Sequence, residues 1–265
     1  MRRLLALMVA LLTAALCLCS AGAVVRAGSG ALSVRAPREG WADDYLAFLQ
    51  EHYDAFATLW PGGVSGISFL DLDLDGTPEM AVFTQGAASM DVHLFDLADG
   101  QVYCVSSAAN GAAGVFGGEH LSSTAVCARY FEAFCLSDTE EGWYFWVDSS
   151  DSTAGYTWNE IIRFDSAGGI LKPTLVCARY LTCDADTGLV DSEKYEVSGT
   201  SGTQEQYQAA ADVYLLGKDT GYQAGGTWSG GYDAASRDGL LAMAADAADA
   251  YVPILGTVTV AVEAS

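Results

Sequence analysis

The sequence has few basic residues. It contains 12 lysines and arginines against 34 aspartates and glutamates, so the formal net charge is −22 and the pI is about 4.1. A surface with this charge repels nucleic-acid phosphates and anionic lipid head groups. The composition therefore argues against nucleic acid and membrane surfaces as partners, and it leaves cations and neutral ligands.

Catalytic signatures are also missing from the sequence. None of the three histidines stands in a zinc-binding spacing such as HExxH, and there is no GxSxG elbow, phosphate-binding loop or dinucleotide fingerprint. Glu140, Glu141 and Glu160 offer carboxylate pairs, but such pairs arise easily among 34 acidic residues. The sequence therefore favours a non-enzymatic protein, with an extracellular hydrolase as the catalytic alternative.

A long apolar run occurs at the N-terminus and is not repeated downstream. It follows Arg2 and Arg3, covers residues 4–19, and is shorter than the roughly 20 residues that a membrane-spanning helix needs. Ala21 and Ala23 occupy the small-residue positions of an export cleavage site. We expect a signal peptide over residues 1–23, with a retained anchor as the alternative. The mature protein is then secreted, extracellular or at the cell envelope, with no stable membrane insertion after cleavage.

Cysteine is present but lacks the CxxC spacing of metal sites. Beyond the N-terminal run the cysteines are Cys104, Cys127, Cys135, Cys177 and Cys183. An odd number leaves at least one thiol unpaired within the chain. In straight strands, Cys127 lies too far from Cys135 for a disulfide, as does Cys177 from Cys183. A Cys127–Cys177 bridge is the first candidate, and the alternative is that all five are small, buried apolar side chains.

Changes of periodicity along the chain predict the fold. Residues 24–40 are small and polar and predict a flexible lead-in. Over residues 41–60, aromatic and apolar side chains recur every three or four positions, which predicts an amphipathic helix that ends at Pro61. From Val64 onward the period falls to two, and short turns separate the apolar segments. This pattern predicts an antiparallel β-meander with the aromatic helix packed on it.

Helical periodicity returns near the C-terminus. Residues 202–217 and 234–251 predict two helices, the first capped by Thr203, and residues 256–262 predict a final edge strand. No interior linker is evident from the composition. We therefore expect a single α+β domain over residues 41–265.

The segment DLDLDGTPE, residues 71–79, concentrates negative charge in one turn. Calcium takes about six to eight oxygen ligands, and alternate carboxylates on a tight loop supply them. The candidate ligands are the side chains of Asp71, Asp73, Asp75 and Glu79 and the backbone carbonyl of Thr77. Gly76 permits the sharp turn, and Glu79 ligates directly or through water. Because the carboxylates repel one another without a cation, the spacing predicts a structural Ca²⁺; the alternative is an aspartate-rich turn that holds no metal.

This turn departs from an EF-hand loop. An EF-hand needs an acidic residue at its twelfth position, where this sequence has Val82, and the flanking segments have the periodicity of strands. The spacing instead resembles the calcium turn of integrin-type FG-GAP β-propeller repeats, although only one such turn is evident. Without the bidentate glutamate we expect weak binding, with a dissociation constant on the order of 10⁻⁴ M.

The wider segment FLDLDLDGTPEMAVF, residues 69–83, follows the aromatic helix and precedes a predicted hairpin. In this arrangement the chain resembles a group of uncharacterised exported bacterial proteins that carry a single DxDxDGxPE calcium-type turn. Leu74 stands where glycine is common in that group, which leaves the ligand positions unchanged. The resemblance implies calcium binding and export, and it implies no particular activity.

Together these patterns predict a secreted, calcium-stabilised binding or adhesion module whose partner is an extracellular protein or glycan. One alternative is a carbohydrate-binding module, in which exposed aromatic rings stack on sugars. The residues for that role are Trp146, Trp158 and Tyr144, unless they alternate into the core. The extracellular hydrolase is the remaining alternative.

Overall fold

The computed structural model describes residues 37–60, 63–85, 90–105, 114–115, 127–129, 134–153, 155–184, 186–216, 227–228, 233 and 235–253. The predicted signal peptide, the lead-in up to residue 36 and the predicted strand at 256–262 lie outside this set. Within it are four helices and 13 strands. The predicted α+β class, with a helix before an antiparallel sheet and helices near the C-terminus, is confirmed. The described ranges contain no helix that could span a bilayer.

The helices, in chain order, are α1 (Trp41–Glu51), α2 (Tyr53–Leu59), α3 (Gln204–Leu215) and α4 (Arg237–Asp249). The strands, in chain order, are β1 (Val64–Leu70), β2 (Glu79–Gln85), β3 (Met90–Ala98), β4 (Gln101–Cys104), β5 (Gly114–Val115), β6 (Cys127–Arg129), β7 (Cys135–Thr139), β8 (Gly142–Thr153), β9 (Tyr156–Ser166), β10 (Leu171–Cys183), β11 (Val190–Val197), β12 (Thr200–Gly202) and β13 (Thr227–Trp228).

The strands form two antiparallel meanders. In the first, β1 to β5 pair in chain order, and β13 adds to the free edge of β1. In the second, β7 to β12 pair in chain order. Strand β6 joins them, because it pairs antiparallel with β3 and, at Arg129 and Ser150, parallel with β8. The predicted meander is therefore two meanders, connected through one short strand.

Helices α1, α2 and α4 cover one face of the first meander. Tyr45 packs on Phe69 of β1 and Phe48 packs on Phe95 of β3, with ring centroids 5.4 and 5.7 Å apart. The Tyr45 hydroxyl donates a hydrogen bond to the Phe95 carbonyl at 3.1 Å. Met243 of α4 is buried in the same cluster. Each such buried side chain contributes about 1.5–3 kcal/mol, so the aromatic helix is fixed on the sheet, as predicted.

The predicted helix over residues 41–60 is interrupted at His52, which lies between α1 and α2 with φ −101° and ψ 12°. Its N–H still donates to the Phe48 carbonyl at 3.0 Å, and its carbonyl accepts from the Phe56 N–H at 3.1 Å. The apolar stripe survives the break, because Phe48 and Phe56 both contact the Phe95 ring, at 5.7 and 5.8 Å. One stripe therefore corresponds to two short helices.

The other face of the first meander packs against the second meander. Phe83 and Leu94 from the first belong to one buried cluster with Phe145, Ile162 and Phe164 from the second. This cluster forms the core between the two sheets. The face that β8, β9 and β10 turn toward the first meander is therefore apolar over this length.

Helix α3 covers the outer face of the second meander. It begins with a capping box: the Thr203 hydroxyl accepts from the Gln206 N–H at 3.3 Å, and the Gln206 side chain accepts from the Thr203 N–H at 2.9 Å. Its Tyr214 ring lies 6.0 Å from the ring of Trp146. The predicted cap at Thr203 is confirmed. The described layers are thus α1, α2 and α4, then the two meanders, then α3.

Among the cysteines whose side chains the structure describes, Cys104, Cys177 and Cys183 are free thiols, and Cys135 is buried. The predicted Cys127–Cys177 bridge is wrong, because the Cys177 thiol is unpaired and buried in the cluster under α3. Burial raises the pKa of the Cys104 thiol to about 11 and also raises that of Cys177. The alternative interpretation, small buried apolar side chains, holds for Cys104, Cys135 and Cys177.

Candidate metal centre

The acidic turn connects two adjacent strands. Strand β1 ends at Leu70 and β2 begins at Glu79, and these two residues pair directly in the antiparallel register. Between them the backbone enters the left-handed region at Leu74 (φ 62°) and at Gly76 (φ 97°). Glycine adopts positive φ without steric cost, so this backbone favours glycine at both positions. The chain has glycine at position 76 and leucine at position 74. The flanking strands also distinguish the turn from an EF-hand, and Val82 is buried within β2.

Four carboxylates converge at this turn. One oxygen from each lies within 4.8 Å of the others, and the four residues are Asp71, Asp73, Asp75 and Glu79. Asp71 and Glu79 are 1% and 0% exposed, whereas Asp73 and Asp75 are half-buried. The structure thus brings together all four side chains predicted from the spacing.

Backbone amides hold one oxygen of each buried carboxylate. The Gly76 N–H donates to Asp71 Oδ2 at 3.0 Å, and the Leu72 N–H donates to Glu79 Oε2 at 2.5 Å. In the first bond the acceptor precedes the donor in the chain, and in the second bond the acceptor follows the donor. They fix the carboxylate orientations and leave the second oxygen of each group free to meet a ligand.

The half-buried carboxylates close the turn locally. The Asp75 N–H donates to Asp73 Oδ1 at 3.2 Å, and the Thr77 N–H donates to Asp75 Oδ1 at 2.6 Å. Thr77, the fifth predicted ligand position, therefore lies inside the turn and is tied to Asp75. Such side-chain-to-backbone bonds are typical of tight turns built on aspartate.

Three buried oxygens in the turn have no hydrogen-bond partner in the described part of the chain: Asp71 Oδ1, Asp73 Oδ2 and Glu79 Oε1. Each belongs to a carboxylate whose other oxygen accepts a backbone hydrogen bond. A buried polar atom without a partner costs free energy, and buried charges are normally paired or coordinate a metal. The unpaired oxygens belong to the same group that converges within 4.8 Å, so a cation among them would satisfy all three.

The electrostatics agree with this geometry. Burial raises the pKa of the Asp71 carboxyl to about 7, although the Gly76 N–H offsets part of the effect. Burial and then the charge of Asp75 raise the pKa of Asp73 to about 7. Burial, and then the charge of Asp73, raises the pKa of Glu79 well above its ordinary value. A bound cation would instead stabilise the ionised forms of all of these groups.

Asp96 of β3 is a fifth acidic residue beside the turn, and the sequence reasoning missed it. It is buried, its Oδ2 accepts from the Leu171 N–H at 2.6 Å, and its charge raises the pKa of Glu79. Burial raises its own pKa to about 6. The bond to Leu171 ties the first meander to the start of β10, next to the carboxylate group. The available signal was an aspartate on the strand face that otherwise carries the buried Val92 and Leu94.

The aromatic residues predicted to stack on sugars do not form one platform. Trp146 is 1% exposed, and its indole N–H donates to Ser137 Oγ at 2.8 Å beneath α3. The prediction that it is an exposed stacking residue is wrong, because α3 covers that face. The Arg163 guanidinium lies 4.3 Å from the centre of the Tyr144 ring. Trp158 is half-buried and lies on the opposite face of the sheet, since Trp146 pairs with Arg163 and residues alternate between faces.

The fold and the site define an α+β protein that carries a buried carboxylate group, able to hold a metal ion, between two strands of a meander. A scan against protein-family models, a search of curated proteins and a search of solved structures each return no match. The function is therefore inferred from the geometry of the chain itself.

Proposed function

We propose that this chain is a secreted, calcium-stabilised binding or adhesion module, in which Asp71, Asp73, Asp75 and Glu79 hold one structural Ca²⁺. The observation that carries the proposal is the set of buried oxygens without hydrogen-bond partners in the described residues, within a group that converges to 4.8 Å. Hydrogen bonding alone leaves these oxygens unsatisfied. A cation satisfies them together.

The donor set favours calcium among the common divalent ions. All four side chains offer oxygen, whereas structural zinc sites use cysteine sulfur and histidine nitrogen. Magnesium demands near-ideal octahedral geometry and usually keeps several waters, so it is rarely held by a dedicated all-protein cage. Calcium accepts irregular sets of about six to eight oxygens. The four carboxylates, the Thr77 carbonyl and water would supply that number.

The position of the site supports a structural role for the ion. It lies where β1 turns into β2, and the neighbouring Asp96–Leu171 hydrogen bond links the two meanders. An ion there holds the hairpin closed. With a dissociation constant on the order of 10⁻⁴ M and millimolar calcium, the linkage contribution to stability is about 1–2 kcal/mol. Calcium reaches that concentration outside cells, which agrees with the export signal expected at residues 1–23.

Binding, rather than catalysis, fits the remainder of the described structure. Asp71, Asp73 and Glu79, whose pKa values are raised, lie in the turn that would hold the ion, and Asp96 lies beside it. Burial also raises the pKa of Glu160, which accepts a hydrogen bond from the Tyr180 hydroxyl. His93 is buried, with its ring against Trp60 and its Nε2 at hydrogen-bond distance from Thr84 Oγ1. We assign the carboxylates of the turn and His93 to the stability of the fold. The partner is an extracellular protein or glycan.

Calorimetric titration of calcium into the purified, chelator-treated protein tests the proposal. We expect one site per chain, weaker binding of magnesium by at least about tenfold, and loss of the calcium heat in Asp75→Asn. Asp186→Asn is the matched control, because Asp186 is an exposed acidic residue in another aspartate-rich turn. The absence of saturable calcium binding by the wild type would remove the basis of the proposal.

A further inference from the structure

A second group of side chains lies at the other end of the second meander. Tyr156 and Trp158 of β9 and Tyr180 of β10 share one face, because Trp158 pairs with Tyr180 and Tyr156 is two residues from Trp158. The Tyr156 ring centre lies 5.3 Å from that of Trp158 and 6.3 Å from that of Tyr180. The two tyrosine rings are nearly parallel, with 16° between their planes. We call these three residues the aromatic patch.

Polar side chains border the aromatic patch on the same face. In the register, Glu160, Ala178 and Glu196 lie side by side on β9, β10 and β11, and Lys194 lies beside Tyr180. The Tyr180 hydroxyl donates to Glu160 Oε1 at 3.4 Å. The α-carbons of Glu160 and Glu196 are about 10 Å apart across the central strand, from the ordinary spacing of strands. Oxygen acceptors and one ammonium donor therefore flank the rings.

The aromatic patch is not part of the core between the sheets. On β9 the same face is buried at Ile162 and Phe164, where it packs on the first meander. Toward the start of β9 the burial decreases, and Tyr156 is 38% exposed while Trp158 is half-buried. Helix α3 packs on the opposite face, where its Tyr207 ring lies 5.5 Å from Tyr195. The second meander thus extends past its core and presents rings to solvent.

We propose that the aromatic patch, with Glu160, Glu196 and Lys194 at its border, is a saccharide-binding site. A sugar ring presents C–H groups on its faces and hydroxyls at its rim. Tyrosine and tryptophan present an apolar ring face, so they can stack on the C–H groups of the sugar. Carboxylates accept hydrogen bonds from the hydroxyls, and the lysine ammonium donates to hydroxyl oxygens. This inference gives a ligand class to the proposed binding function and rests on it.

The charges at the patch favour a neutral saccharide over an anion or an organic cation. The overall charge of −22, with Glu160 and Glu196 at the patch itself, disfavours an anion. An organic cation would be attracted to the rings and carboxylates, but Lys194 stands beside Tyr180 on the same face and opposes it. Donors and acceptors together, around rings, fit a neutral polyhydroxylated ligand. The sites predicted at Trp146 and Tyr144 lie on the other face of the sheet.

An oligosaccharide array tests the inference directly. The probes are β-glucan, xylan, mannan and chitin oligosaccharides and animal N- and O-glycans, applied with millimolar calcium to the wild type, Tyr156→Ala, Trp158→Ala and Tyr144→Ala. We expect the wild type to bind at least one class, and each patch variant to bind it at least about tenfold more weakly, as for truncated aromatic anchors. Trp158→Phe should retain part of the binding. Tyr144→Ala, an aromatic truncation on the opposite face, should bind as the wild type does.

Circular dichroism and the melting midpoint of each variant show whether it is folded. Wild-type binding to no oligosaccharide class would overturn the inference, as would wild-type affinity in folded Tyr156→Ala and Trp158→Ala. Loss of binding in folded Tyr144→Ala would also overturn it, because the ligand would then lie on the other face. Melting of the same samples with calcium and with chelator separates the two proposals. If calcium raises the melting midpoint but no glycan binds, the metal site is supported and the saccharide site is not. If a glycan binds but calcium leaves the midpoint unchanged, the saccharide site is supported and the metal site is not.

Discussion

Glu79 Oε2 accepts a hydrogen bond from the Leu72 backbone N–H at 2.5 Å. The other oxygen of this carboxylate, Oε1, is buried and has no hydrogen-bond partner among the described residues. Glu79 is the first residue of β2, and Leu72 lies two residues beyond the end of β1. The bond therefore spans the start and the end of the acidic turn. An ion on the second oxygen would couple cation binding to the closure of this hairpin.

Chelation should lower the stability of the wild type and leave that of Glu79→Gln unchanged. The linkage contribution of about 1–2 kcal/mol corresponds to about 2–4 °C in the melting midpoint for a chain of this size. Glutamine keeps the shape of the side chain but removes the charge that a cation needs. Differential scanning calorimetry with calcium and with chelator measures both midpoints. Glu140→Gln, at an exposed turn residue, should respond to chelation like the wild type.

A different result would identify the alternative. If the wild-type midpoint is the same with calcium and with chelator, the turn is an aspartate-rich hairpin loop that holds no metal. If Glu79→Gln still gains stability from calcium, Glu79 is not a ligand and the ion would be held by the aspartates alone.

Local features of the chain were predictable from the sequence. The acidic turn is one such feature, because the spacing of Asp71, Asp73 and Asp75 and the glycine at position 76 act within one loop. The capping box at Thr203 is another, since its partner Gln206 is three residues away. In both cases the interacting groups are close along the chain, so the pattern contains the whole interaction.

Features that depend on distant segments were not predictable. The sequence around Trp146 is apolar on both strand faces, and both faces prove to be covered, one by the first meander and the other by α3. Alternation therefore did not show which aromatic residue is exposed. The role of Asp96 depends on Leu171, which belongs to the other meander. The error over Cys127 and Cys177 has the same origin, because pairing depends on how two distant strands are placed.

Truncation of Trp146 should destabilise the protein rather than remove a ligand contact. Its indole N–H donates to Ser137 Oγ, and Ser137 in turn donates to the Tyr214 carbonyl at 3.1 Å. Trp146→Ala would leave a large cavity beneath α3 and should cost about 3–5 kcal/mol. Urea denaturation measures the loss. Tyr144→Ala, on the same strand face but under Arg163, should cost much less, and equal costs would contradict the described burial.

The buried thiols should be unreactive in the folded protein. Cys177 and Cys135 lie in the cluster under α3, and burial raises the pKa of Cys177 well above that of a free thiol. Since the thiolate is the reactive form, iodoacetamide at mildly alkaline pH should label these residues only after denaturation, as read by mass spectrometry. Cys183, which is half-buried, serves as the comparison. A reductant should leave the melting midpoint unchanged, whereas a fall on reduction would indicate a disulfide.

His93 should make the folded state less stable as the pH falls below neutrality. The ring is buried beside Trp60, its Nε2 lies 3.0 Å from Thr84 Oγ1, and burial lowers its pKa from 6.5 to about 4. Between these two values the unfolded chain binds a proton that the folded protein does not. Stability is therefore fully present above the unfolded pKa and is lost as the pH falls toward the folded pKa.

The size of this effect follows from the difference between the two pKa values. Between pH 7 and pH 5 the loss attributable to His93 should be about 2 kcal/mol. His93→Gln can keep the hydrogen bond to Thr84 and cannot titrate, so the wild type should lose stability relative to the variant as the pH falls. Urea denaturation of both proteins in saturating calcium measures the difference, because the carboxylates of the acidic turn then contribute equally to both. If the free energy of unfolding changes with pH in the same way for the two proteins, His93 accepts a proton equally in the folded and unfolded states. That result would contradict the effect expected from the burial of His93 against Trp60.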